Sequence, residues 1–261
     1  MIGQLEFSLR RFDSRFPGSS IGLHAAPEEG PLFIGHYGVS LALKRANPRL
    51  SLGGLFLAVQ GLDLLFFSFV LLGIEKMRIV PGFTEYNAYD LYYMPYSHGL
   101  VGSLVWSGLA LGGVLLLRRA PLTGAALVGL AVFSHFLLDV PMHTPDMPLL
   151  GDSSPKVGFG LWNHRWWALA AELSVLGAGL LLYLRASRPR TPSGRWVTAT
   201  VAVILVALCV ATPFMPPPSG VVPGAIQALL AYAVLAALAV WLERARTASS
   251  MEGAKAISAK S

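Results

Sequence analysis

Six stretches of about 20 mostly apolar residues, roughly 51–74, 97–117, 121–140, 166–184, 196–213 and 222–242, constrain this chain more than anything else in it. In helical form each is long enough to cross about 30 Å of hydrocarbon. The alternation of a membrane β-barrel is absent, which predicts an all-α fold: a polytopic helical membrane protein with about six transmembrane helices. A seventh apolar run, "LFIGHYGVSLAL" at 32–43, is too short to cross alone and predicts an N-terminal half-helix packed against protein. Composition points the same way. With 54% hydrophobic and 13% charged residues and a mean hydropathy of +0.58, the chain is too apolar for a soluble domain of its 261 residues.

The net charge of +6 is concentrated in short connections. Lys44, Arg45 and Arg49 precede the first full span, Arg118 and Arg119 separate the second and third, Arg185, Arg188, Arg190 and Arg195 follow the fourth, and Arg244 and Arg246 follow the last. Membrane topology accounts for this distribution, so no nucleic-acid partner is expected, and these loops are predicted to be cytoplasmic. The alternate loops, about 75–96, 140–165 and 214–221, are then outward-facing. Two of them hold the aromatic-rich segments "YNAYDLYYMPYSH" (86–98) and "GLWNHRWW" (160–167), as expected at a membrane interface. Cys209 is the only cysteine and lies inside an apolar span, which excludes an intrachain disulfide and a cysteine-based metal cluster.

Four regions follow from these patterns. Residues 1–31 form a polar extension with Arg10, Arg11 and Arg15 and no continuous apolar core of a signal peptide. Residues 32–185 hold the polar-studded membrane part, 186–242 two C-terminal spans without histidine or acid, and 243–261 a small, polar tail expected to be disordered. Chemistry is expected before residue 185.

Ionisable groups at membrane depth cost about 2.5–3.5 kcal/mol each, so their presence points to function. Asp63 lies mid-span in "LAVQGLDLLFF". His135 and Asp139 are four apart and share one helix face, a spacing that suits one metal ion. His36, Ser40 and Lys44 form an inward polar stripe on the short helix, and His98 opens the second full span. His36, Asp63, His98, His135 and Asp139 are therefore the candidate metal ligands. Imidazoles and carboxylates without thiolates suit zinc first, with manganese or iron as alternatives, and fit a hydrolytic site better than a structural one. His24 and His164 read as surface or interfacial residues.

These motifs resemble the bacterial inner-membrane family of LexA-regulated metal-dependent hydrolases over about residues 33–150. The family's opening Gly-His is matched by Gly35-His36, its span aspartate by Asp63, its Thr/Ser-His step by Ser97-His98, and its Ser-His-x-x-x-Asp and Thr-Pro turn by Ser134-His135, Asp139 and Thr144-Pro145. The likeness implies a metal-centred hydrolytic site in a bacterial inner membrane, and the histidine–aspartate step is similar to one in zinc-dependent phospholipases C. The chain departs from the family at "QGLDLL" and "YMPYSH", where two or three ligands and an arginine are missing. His143, Asp146 and Glu172 could restore ligands, and Lys156 or Arg165 the cation.

The expected activity is hydrolysis of an ester or phosphoester in an amphipathic or lipid-linked substrate, among membrane lipids, at a site opening to the non-cytoplasmic side. His143 and Asp146 are the expected general acid and base, because they follow Pro141 in a turn at the mouth, and Lys156 and Arg165 the expected substrate-binding cations. A proton- or cation-coupled transporter, a non-catalytic metal-binding scaffold or sensor, and a bis-histidine haem protein remain open alternatives. The sequence names no protein partner.

Overall fold

Ser51 and Thr191 start two of the apolar helices by the same device: each side-chain oxygen accepts the backbone N–H three residues on, from Gly54 and Gly194, at 3.3 Å. The computed structural model describes residues 33–249. Eight helices carry the fold among them: α1 Tyr37–Ala46, α2 Leu52–Val59, α3 Gly61–Leu71, α4 Leu100–Leu116, α5 Leu122–Met142, α6 Arg165–Ala186, α7 Pro192–Ala211 and α8 Val221–Ala245. Each apolar run is helical over most of its described length. Residues 1–32 and 250–261, with His24, the polar extension and most of the expected tail, lie outside the described residues.

Six crossing helices are not what length supports. Among the described residues, α5, α6, α8 and α7 with its 3-10 extension to Phe214 are long and apolar enough to cross a membrane. The predicted first span is broken into α2 and α3, bent by 56°, and makes a fifth crossing only if the pair counts as one. α4, at 17 residues, is a shorter apolar helix at the lower end of crossing length, so the count of six is not confirmed. The break falls at Gln60, whose side chain bonds the Phe33 carbonyl at 3.3 Å instead of facing lipid. Large apolar side chains on the bundle's outside, among them Leu104, Leu109, Leu130, Leu137, Val203, Leu230 and Val234, are exposed as a lipid-facing surface would be. Trp166 and Trp167 start α6 and Trp196 starts α7, all exposed at helix ends where interfacial aromatics belong.

Three antiparallel strand pairs interrupt the helical pattern: β1 Lys76–Ile79 with β2 Tyr89–Tyr93, β3 Met147–Pro148 with β4 Lys156–Val157, and β5 Ser187–Pro189 with β6 Arg246–Ala248. The first two lie in the loops predicted to face outward. These loops meet, with the Tyr86 N–H bonded to the Trp162 carbonyl at 3.0 Å, and the Val101 N–H at the start of α4 bonds the Leu149 carbonyl at 3.1 Å. The third pair joins the α6–α7 loop to the chain after α8, so the expected disordered tail begins with the end of α8 and a paired strand.

α1 and α6 meet backbone to backbone. A Cβ on Gly38 would overlap the Val175 carbonyl, and one on Gly179 would overlap the Gly38 carbonyl, so both positions require a bare backbone. The half-helix is thus held against α6 at backbone contact, and it carries His36 and the stripe below it inward. Ser40 bonds the Leu55 carbonyl at 2.9 Å, and Lys44 reaches the Pro48 carbonyl at 2.8 Å and the Glu243 carboxylate.

Candidate metal centre

α5 places His135, Asp139 and His143 at intervals of four, so the three side chains rise along one face. α1 presents His36 from its preceding turn, α3 presents Asp63 in its first turn, and His98 stands just ahead of α4. The α2–α3 break matters here, because Asp63 falls at a helix N-terminus, where the helix dipole favours a carboxylate. All six groups are buried, none more than 3% exposed.

His135 Nε2 lies 3.2 Å from Asp139 Oδ2 and 3.4 Å from Asp63 Oδ1. His98 Nε2 lies 3.3 Å from Asp63 Oδ1 and 3.5 Å from Asp139 Oδ2. His143 Nε2 is 3.8 Å from Asp139 Oδ2, and His36 Nε2 is 3.1 Å from Asp139 Oδ1. Two overlapping triads, His36–His135–Asp139 and Asp63–His98–His135, each keep their ligand atoms within 4.8 Å of one another.

The outer nitrogens decide what the inner ones can do. His135 Nδ1 faces the Val59 carbonyl at 2.8 Å, a group that only accepts, so the ring proton belongs on Nδ1. That carbonyl is in the last turn of α2, where the helix break leaves acceptors free. His98 Nδ1 meets the Ser97 hydroxyl at 2.8 Å, and that hydroxyl donates its own proton to Glu75 at 2.6 Å, so Nδ1 again donates. His143 Nδ1 meets the Asp146 carboxylate at 2.9 Å. In their neutral form, three imidazoles therefore turn Nε2 lone pairs toward two carboxylates. His135 Nε2 and Asp139 Oδ2 have no hydrogen-bond partner among the described residues despite their proximity. Lone pairs gathered in this way are stable only with positive charge among them, as protons or as a cation.

Outer partners hold most of the cluster in a way that suits a metal site. Tyr232 donates to Asp63 Oδ2 at 2.6 Å. Glu75 also accepts the Tyr96 and Ser97 N–H groups at 2.8 and 2.9 Å. Glu172 accepts the Gly35 N–H at 2.7 Å and lies 3.9 Å from His36 Nδ1, so it positions the histidine rather than joining the inner group. The Trp162 ring packs 4.1 Å from that of His143 and stacks on Phe33 at 5.0 Å, closing the cluster from the outward-predicted loops. The turn that delivers Trp162 starts from Gly160, whose φ of 74° is in the left-handed region, and Gly160 N–H bonds the His143 carbonyl at 2.6 Å.

The five candidate ligands come together, and the other named residues have surroundings that differ from a simple open mouth. His143 is not at an open, mobile mouth: it is buried at the end of α5 and belongs to the cluster, while Asp146, its partner, keeps a side-chain exposure of 16%. Burial alone would lower the His143 pKa, but the Asp146, Asp139 and Asp63 carboxylates together outweigh it and the net direction is upward. Lys156 and Arg165 are engaged elsewhere, Lys156 with Asp152 at 2.9 Å and Arg165 with the Glu85 carbonyl at 2.7 Å and the Phe214 ring. The surroundings of the cluster reach beyond residue 185, since Tyr232 of α8 bonds Asp63. His164 is exposed, as expected.

Glu75, Ser97 and Tyr232 were not legible as site residues. Ser97 adjoined a predicted ligand, but a lone tyrosine in an Ala/Leu-rich span carries no local signal for a partner 169 positions away.

Together these features define a helical membrane protein that encloses a histidine–aspartate cluster able to hold a metal ion. No family model, curated protein or solved structure matches the chain.

Proposed function

We propose that this chain is an integral membrane metal-dependent hydrolase acting on a phosphoester or ester of a lipid-like substrate, with zinc as the resident ion. The observation that carries the proposal is the inward convergence of histidine lone pairs on two buried carboxylates, each ring locked by an acceptor on its far nitrogen. His98, His135, Asp63 and Asp139 would hold the ion, with His36 and His143 alongside. A divalent ion supplies Lewis acidity toward a phosphoryl or acyl oxygen and lowers the pKa of water from 15.7 toward ~7. His143 and Asp146 are the pair suited to move a proton, because Asp146 is partly exposed and His143 links it to Asp139. The Thr144 hydroxyl donates to Asp146 at 2.8 Å and holds it in place for that exchange. The bacterial inner membrane, with the site toward its outer face, is the location favoured by the motif resemblance and by the Lys/Arg asymmetry.

A proton- or cation-coupled transporter is the second reading, favoured by the full enclosure of the cluster and by the same Asp146–His143–Asp139 series. Elemental analysis of the detergent-purified protein and of His135→Ala, with a screen of chromogenic phosphomonoesters, phosphodiesters and carboxyl esters, tests both readings. Metal lost in the variant together with metal-dependent turnover in the parent supports the hydrolase. Metal bound without turnover of any ester replaces it with transport.

A further inference from the structure

A second polar site lies toward the other end of the bundle. On α1, Lys44 follows His36 by eight residues, about 12 Å of helix. There the ends of α1, α6 and α8, with β5 and β6, enclose a cavity of about 660 Å³. Three of the four basic segments read from the sequence as cytoplasmic meet around it. Among the described residues its charged lining is Lys44, Arg45, Arg49, Arg190 and Arg246 against a single carboxylate, Glu243.

Cations at helix C-termini often do no more than satisfy the last carbonyls, and part of this set does that. Lys44 bonds Pro48 and Leu50 carbonyls and takes up Glu243. Glu243 is also bound by the Leu52 N–H at 2.8 Å. Arg246 spends its guanidinium on the Ser187 hydroxyl, the Ser187 carbonyl and Thr198. Arg190 uses only Nε, on the Arg246 carbonyl at 2.8 Å. The guanidiniums of Arg45 and Arg49, both exposed, have no hydrogen-bond or ion-pair partner among the described residues. Local structure has thus consumed the one acid and two of the cations, and it leaves two whole guanidiniums and the end of a third on one concave surface. Guanidinium forks match phosphate oxygens, and basic cavities between membrane helices take phosphate head groups.

We propose that this cavity binds a phosphate-bearing anion, presented by the head group of an anionic phospholipid. The site is independent of the metal centre and of the hydrolase reading. Its position at the helix ends puts it at head-group level, and Tyr183, also in its lining, offers the amphipathic ring common at that depth.

The test uses the full chain in a neutral detergent, titrated with phosphatidylglycerol, phosphatidylcholine or inorganic phosphate, and read by thermal shift and by mass spectrometry of retained lipid. Phosphatidylglycerol is expected to be retained and to stabilise the protein, and phosphatidylcholine is not. Arg45→Gln with Arg49→Gln should weaken phosphatidylglycerol binding about 30-fold. Arg118→Gln with Arg119→Gln removes the same charge from another loop predicted on this face, outside the cavity, and should change binding less than about 3-fold. Equal losses in the two double variants would mean diffuse surface charge and overturn the site. Equal retention of both lipids would overturn it too. Stabilisation by inorganic phosphate, lost in the Arg45/Arg49 variant, with no retained phosphatidylglycerol would assign the cavity to a soluble anion and overturn the lipid assignment.

Discussion

His135 Nε2 faces Asp139 Oδ2 across 3.2 Å with no proton available from its own neutral ring, because Nδ1 is committed to the Val59 carbonyl. A positive charge must sit within this pair or beside it, and a metal ion meets that need for all the converging groups at once. His135→Ala and Asp139→Asn are therefore expected to lose bound metal, with affinity down more than about 100-fold, beyond the range seen for supporting residues. His36→Ala should lower metal content as well, whereas the exposed His164→Ala should not. Inductively coupled plasma measurement on detergent-purified protein reads all four. Full metal in Asp139→Asn would remove the cluster from consideration as a metal site.

Supporting residues should tune affinity without setting the fold. Tyr232→Phe removes one donor to Asp63, and Ser97→Ala cuts the link between His98 and Glu75. Each is expected to weaken metal binding about 10- to 100-fold while helix content stays that of the parent. Competition with a chromophoric chelator gives the affinity and circular dichroism the helix content. Parent-like affinity in both variants would leave these bonds as packing features only.

Asp146 and Asp139 should separate by role. Asp146 touches His143 and Thr144 and is partly exposed, while Asp139 faces four imidazoles. Asp146→Asn is expected to keep its metal and lose most turnover on a phosphoester or ester, and Asp139→Asn to lose both. If Asp146→Asn sheds metal as fully as Asp139→Asn, the carboxylate is needed to hold the ion and the proton-transfer role fails.

The α1–α6 contact should tolerate no side chain. Gly179→Ala sets a methyl group into the Gly38 backbone, which cannot swing aside as a side-chain tip would. A loss of about 1–3 kcal/mol is expected, the usual cost of overpacking. Metal content should fall with it, because α1 carries His36 and α6 carries Glu172. Gly177, with open space around it, supplies the control Gly177→Ala. Thermal unfolding of the three proteins in one detergent, with metal content measured alongside, is the comparison, and equal midpoints would show that the helices separate without cost.

Orientation rests on the Lys/Arg asymmetry and is open to direct labelling. Single cysteines at Ser153, in the outward-predicted loop, and Ser193, in the arginine-rich one, are both exposed and sit in a Cys209→Ser background. An impermeant thiol reagent on intact cells should label position 153 and not 193. The reverse result turns the site toward the cytoplasm.

Helix positions, the inward stripe of His36, Ser40 and Lys44, and the identity of five candidate ligands were all legible in the chain, because each is a local property. Apolar length marks a helix, a spacing of four marks one face, and a charge inside an apolar run is costly enough to announce itself. Tertiary structure decided what depends on partners far along the sequence. It bent the first span at Gln60, which set Asp63 at a helix start and freed the Val59 carbonyl for His135. It brought Tyr232 from a span that reads as plain hydrocarbon, placed His143, expected in a turn at the mouth, as a buried member of the cluster, and engaged Lys156 and Arg165 elsewhere. It also gathered three separate basic segments around one cavity. Hydrogen-bond satisfaction in a low-dielectric interior selects these pairings, and that selection acts on distances between atoms, which no periodicity along the chain records.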